Sequence, residues 1–164
     1  MMFENLAEQG IVQRGHPDLV TVRQYHPEAM SKLCLLFMQM GYGMSALVEG
    51  GIFPPGIVTS GYRDKNIDPA VKNSPHKFGI AFDLAIGNLD QQIKWLKKAI
   101  SPSLFNRGGL YPDRGIIHVD IADDEWMQTY NGTRFWVCLG DKYTGFSDME
   151  SAINFAQSSP EGKP

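Results

Sequence analysis

A chain of 164 residues with a formal charge of −3 has the length of one domain, and 43% hydrophobic with 20% charged residues is the balance of a globular fold. Those figures exclude a disordered or fibrous chain, and the negative charge argues against a nucleic-acid partner, whose phosphates require a basic face. Cys34 and Cys138 lie in apolar runs without metal-ligand spacing, so both are expected as buried small hydrophobes rather than as parts of a disulfide framework.

Residues 1–10 carry acidic groups and lack the basic start and long apolar stretch of a secretory signal, and no run reaches the length of a membrane span. The expectation is a monomer made in the cytoplasm. His16 and His26 each precede a proline, which places them at turns or helix starts rather than at a metal. Pro27 at a first helical position, Glu28 at the positive end of the helix dipole, and Met30, Leu33, Cys34, Phe37 and Met40 on one face predict a core helix that Gly41 ends. A loop rich in glycine and proline over 50–56 leads into a short strand over 57–59, which delivers Ser60 to Arg63 to a strand end. Arg63 is the candidate anion clamp, because a planar guanidinium holds a carboxylate through two parallel hydrogen bonds.

Ser74 to Asp83 reads Ser-Pro-His-Lys-Phe-Gly-Ile-Ala-Phe-Asp. Phe78, Ile80, Phe82 and Leu84 alternate with Gly79, Ala81 and Asp83, which predicts a half-buried strand that aims Asp83. His76 precedes it in a proline turn from which an imidazole can fold back toward Asp83. A second strand over 116–121 places His118 and Asp120 on one face and Ile117, Val119 and Ile121 on the other. If the two strands pair, His76, Asp83 and His118 converge as three N, O and N donors with a position left for water, the pattern of a catalytic zinc rather than a closed structural site. Ordinary surface histidines are the alternative reading of each imidazole taken singly.

Between these strands, Asn88 caps a predicted helix through Ile100 with Leu89, Ile93, Leu96 and Ile100 on one face. Arg107 to Gly115 reads as a glycine-rich turn without phosphate-loop spacing. Asp123, Asp124 and Glu125 form a solvated acidic turn that lacks calcium-loop periodicity. Asn131-Gly132 signals a hairpin, 134–139 a strand, 148–157 a last helix, and 158–164 a disordered tail. The expected fold is α+β: a single domain over 1–157, with a small antiparallel sheet carrying the ligands and helices packed on one side.

Four blocks in order, Ser60-Gly61-Tyr62-Arg63, Ser74-x-His76-x-x-Gly79-x-Ala81-x-Asp83, Gly109-x-Tyr111-Pro112 and His118-Val119-Asp120, resemble the zinc D-alanyl-D-alanine carboxypeptidase family. That group includes vancomycin-resistance D,D-dipeptidases, phage L-alanyl-D-glutamate endolysins and the amino-terminal domain of sonic hedgehog. The resemblance covers roughly residues 57–121. It implies zinc (Zn2+) on His76, Asp83 and His118, substrate contacts from Arg63, Ser74 and Tyr111, and peptidoglycan stem or cross-link peptide as substrate, reached by a phage or lytic route. Members often carry a catalytic Asp or Glu three residues before the last histidine, where this chain has Gly115. Asp113 is the first candidate for the missing base. Asp120 is the second, with orientation of His118 the preferred role for it. The rival reading is a non-catalytic zinc domain that binds a peptide or protein partner, including a phage structural component.

Overall fold

The computed structural model describes residues 26–42, 58–61, 73–123 and 132–159, which hold three α-helices and six β-strands in an α+β fold. The chain divides into two compact units, residues 1–84 and 85–164. No helix among the described residues is long and apolar enough to cross a membrane.

The first unit opens with α1, Pro27–Gln39, whose start carries Pro27 and Glu28 as expected. Its buried face holds Met30, Leu33, Cys34 and Phe37, joined by Ala29 and Leu36. His26 is the N-cap, and its N–H donates to the Gly79 carbonyl at 3.0 Å, so the helix start is tied to the turn that carries His76. Strand β1, Val58–Ser60, pairs antiparallel with β2, Ala81–Ala85, matching Val58 with Leu84 and Ser60 with Asp83 across an irregularity between them.

The alternation predicted from Phe78 onward begins later than expected. Pro75 fixes its own φ and starts a 3-10 turn over Pro75–Phe78, closed by the Lys77 N–H on the Ser74 carbonyl at 2.9 Å. Phe78 therefore belongs to the turn and is 53% exposed, whereas Phe82 and Leu84 in β2 are fully buried.

In the second unit α2, Leu89–Ile100, is followed by β3, Arg107–Tyr111, a 3-10 turn over Pro112–Arg114, and β4, Ile116–Asp120. Strands β5, Phe135–Leu139, and β6, Lys142–Phe146, form a hairpin before α3, Met149–Ser158. Strand β3 is antiparallel to β4 and parallel to β5, giving the order β4-β3-β5-β6. The sheet is thus mixed, a correction to the antiparallel expectation. The chain leaves β4 at the end where β3 begins, so a strand returning on the other edge of β3 runs parallel to it.

Two further expectations change. Residues 107–111 of the supposed glycine-rich turn are a strand, buried at Arg107, Gly108, Gly109 and Leu110. Strand β6 and its Gly140-Asp141 turn were not anticipated, because Lys142, Tyr143 and Gly145 are exposed and leave no apolar alternation. Ser158, expected in the tail, closes α3, and Ser159 is buried with its hydroxyl donating to the Phe155 carbonyl at 2.9 Å; residues 160–164 lie outside the described residues, as does Asn131.

One sheet face carries Leu110, Ile117, Val119, Phe135 and Val137, all buried, and meets both helices. A Cβ on Gly108 would lie 2.3 Å from Leu96 Cδ1, and Phe146 packs on Phe155 with ring centroids 5.4 Å apart. Asn88 caps α2 as predicted, its Oδ1 accepting the Gln91 N–H at 3.0 Å. The buried stripe of α2 is Gln92, Trp95, Leu96 and Ala99, rotated from the predicted one, with Ile93 only half-buried. The large Trp95 draws that face inward. Asp148 caps α3 in the same manner, accepting the Ser151 N–H at 2.8 Å. Both cysteines are free and buried, as expected.

The rotated stripe has a measurable consequence. In urea denaturation Leu96→Ala is expected to cost about 2–5 kcal/mol and Asn88→Ala about 1 kcal/mol. Ile93→Ala should cost clearly less than Leu96→Ala; equal losses would restore the predicted face.

Candidate metal centre

His76 sits in the 3-10 turn and is 3% exposed. Its Nδ1 lies 2.7 Å from the Gly61 carbonyl oxygen, which only accepts, so Nδ1 carries the proton and donates. The ring's other nitrogen, Nε2, then faces the Asp83 carboxylate, 3.4 Å from Oδ1. A neutral imidazole nitrogen and a carboxylate oxygen are both acceptors, and their approach requires a proton or a cation between them. The spacing is that of two ligands on a tetrahedral ion, which at bond lengths of 2.0–2.1 Å lie about 3.4 Å apart. The first unit thus contributes an N and O pair suited to a metal edge, with a carbonyl fixing the histidine tautomer.

The second unit presents His118 from β4, 6% exposed. Its Nε2 lies 3.0 Å from Asp120 Oδ2. Asp120 is fully buried, and its Oδ1 accepts the Ala122 N–H at 3.0 Å. The Arg107 Nη1 stands 3.8 Å from Oδ2. Burial by itself pushes the Asp120 carboxyl up; the hydrogen bond and charge of His118, the Arg107 guanidinium and the Ala122 N–H outweigh it and hold the group below its ordinary value. An ionised Asp120 makes His118 Nε2 the donor and leaves the ring's lone pair on Nδ1. Asp120 therefore orients the His118 imidazole, the role preferred for it from the sequence.

Asp113 lies in the exposed turn between β3 and β4, where its Oδ2 accepts the Gly140 N–H at 2.9 Å. Its neighbour Arg114 bonds the Gly140 carbonyl and reaches Asp141 Oδ1 at 2.8 Å, so this turn and the β5–β6 turn are laced together. Tyr111, half-buried at the end of β3, accepts the Trp136 indole N–H on its hydroxyl at 3.1 Å. Ser74 is buried at the start of the His76 turn. Arg63 lies outside the described residues.

Gly115 has a structural reason to be glycine. Its φ is +67°, a left-handed conformation, and a Cβ there would stand 3.1 Å from the Gly87 carbonyl oxygen. Its own carbonyl accepts the N–H groups of Ile86 at 2.8 Å and Gly87 at 3.0 Å, fastening the segment after β2 to the start of β4.

Two participants were not singled out from the sequence, Arg107 and Trp136, and Gly109 was named only as part of a motif block. Arg107 was hidden inside a supposed turn, and Trp136 in a strand whose partner and register the sequence does not state. Its signal was the alternation over 135–139, which sets Trp136 and Cys138 against the buried Phe135 and Val137. No family model, curated protein or solved structure matches the chain.

Because the Asp120 pKa is depressed in the fold, its contribution to stability is present above its unfolded value of about 3.9 and lost as pH falls through the lower folded value. In the metal-free protein Asp120→Asn should cost about 3 kcal/mol at pH 7, and the gap from wild type should narrow below about pH 4. A pH-independent gap in urea titrations would mean that Asp120 is not ionised in the fold.

Proposed function

We propose that the protein is a zinc-dependent peptidase that hydrolyses peptide bonds of peptidoglycan, with His76, Asp83 and His118 as metal ligands. The observation that carries this reading is the approach of His76 Nε2 to Asp83 Oδ1 at 3.4 Å, two acceptors that need a proton or a cation between them. With His118 as third ligand, the donor set of two imidazoles and one carboxylate, each buried or half-buried, is the type that leaves zinc a position for substrate. The tautomers agree with it, since Gly61 takes the His76 Nδ1–H and Asp120 takes the His118 Nε2–H.

Zinc bound there supplies a Lewis acid for the scissile carbonyl and brings the acidity of water toward neutral pH. The chain's own residues do the rest. Asp113, on the exposed turn that precedes β4 and five residues before His118, is our candidate to take the proton from the attacking water and return it to the leaving amine as the C–N bond breaks and the C–O bond forms. Asp120, enclosed and engaged through both oxygens, does not reach substrate; it holds His118. Arg63 and Tyr111 bind the stem peptide, Arg63 through a carboxylate of the substrate. The substrate class rests on the motif resemblance over residues 57–121.

The test is a digest of purified peptidoglycan by zinc-loaded protein beside Asp83→Ala, resolved by mass spectrometry. Release of single alanines would identify a carboxypeptidase, and separated stems an endopeptidase. Bound zinc without any zinc-dependent product would shift the reading to a peptide-binding zinc domain. His118→Ala should lose stoichiometric zinc and turnover together, and retention of zinc in that variant would overturn the ligand set. Asp113→Asn should keep zinc and lose turnover by about 100-fold or more. Full activity in it would assign the proton transfer elsewhere.

A further inference from the structure

The sheet face opposite the helices carries a closed ring of four side chains, His118, Asp120, Arg107 and Trp136. Asp120 holds the imidazole edge at 3.0 Å, and Arg107 pairs with Asp120 at 3.8 Å. The Arg107 guanidinium lies over the Trp136 ring at 5.1 Å, and the Trp136 ring packs against His118 with centroids 5.0 Å apart and planes at 50°. The strand register explains how an indole on β5 reaches an imidazole on β4. Gly109 of β3 pairs with His118 on one side and with Trp136 on the other. A Cβ at Gly109 would stand 2.3 Å from the Trp136 ring, so the missing side chain is the gap through which the indole lies across β3. The indole N–H is then fixed by the Tyr111 hydroxyl at 3.1 Å.

A hydrogen bond at Nε2 fixes where the imidazole edge points but leaves the ring free to turn about that bond. The indole packed against the imidazole at a tilt of 50° restricts that remaining rotation. We infer that Trp136 is a positioning residue for His118, setting the imidazole plane so that Nδ1 meets the metal; this rests on the zinc reading above. Arg107 couples the two constraints, since one guanidinium touches both the carboxylate that holds the edge and the indole that holds the face. Tyr111 and Gly109 act through Trp136, which gives the Gly109-x-Tyr111 pair a role in metal binding separate from substrate contact.

The experiment measures zinc dissociation constants of the full chain by chelator competition, with the visible spectrum of the cobalt(II) form as a report on ligand geometry. Trp136→Leu should weaken zinc by about tenfold or more and alter the cobalt spectrum, and Trp136→Phe should restore most of both. Tyr111→Phe, which removes only the hydroxyl that holds the indole, should weaken zinc by about fivefold. A purely structural Trp136 would lower the melting temperature of the metal-free protein and leave both metal readouts unchanged. Affinities of Trp136→Leu and Tyr111→Phe within twofold of a zinc-binding wild type would overturn the inference. A wild type that binds no zinc would instead overturn the metal reading itself. If Trp136→Leu fails to fold by circular dichroism, Tyr111→Phe decides the matter alone.

Discussion

The buried carboxylate of Asp120 is the constraint on which the second unit turns. A charge without solvent contact is costly, and the fold satisfies it from three directions with the Ala122 N–H, the His118 imidazole and the Arg107 guanidinium. Arg107 and Asp120 are also register partners of β3 and β4, so the pairing that closes the strands is the pairing that neutralises the charge. Just outside it, the Asn106 side chain donates to the carbonyls of Ile121 and Ala122 at 3.1 Å, and its N–H donates to the Asp120 carbonyl at 2.9 Å. The chain leaving β4 is thereby held where the carboxylate needs its backbone donor. The orientation of His118 is a by-product of the same satisfied network.

The two faces of this sheet divide the labour. One is apolar and packs on α2 and α3, where Leu96 meets Gly108 and Phe155 meets Phe146. The other carries Arg107, Tyr111, His118, Asp120 and Trp136, groups that interact through charge, hydrogen bonds and ring contacts. Rigid strands with a packed reverse side are a suitable mount for side chains that must keep their direction. Two adjacent glycines serve opposite faces, Gly108 admitting a helix side chain and Gly109 admitting an indole.

Gly115 shows how backbone demands shape chemistry. Members of the family that the motifs resemble often carry an acid at this position, but here a left-handed turn and a carbonyl that accepts two N–H groups occupy it. An acidic side chain would need that φ and would press on Gly87. A carboxylate on the same 3-10 turn, Asp113, is tied to Gly140, so the proton-transfer group of the proposed reaction belongs to a region braced by the β5–β6 turn.

The chain's local signals determined a good deal. Helix α1, the Asn88 cap, helix α3 and the strands at 116–120 and 135–139 were legible, and His76, Asp83 and His118 could be named as proposed donors, because capping, periodicity and donor type depend on neighbours in sequence. What sequence left open was set by distant partners. Phe78 left the strand because Pro75 forced a turn; residues 107–111 became a strand because β4 and β5 supply hydrogen-bond partners on both edges. The rotation of α2 toward Trp95 followed from the sheet it packs on. Trp136 reached His118 only because three strands took one register over Gly109. Periodicity says which residues share a face, and only the tertiary pairing says which faces meet, since strand register is decided by contacts dozens of residues apart.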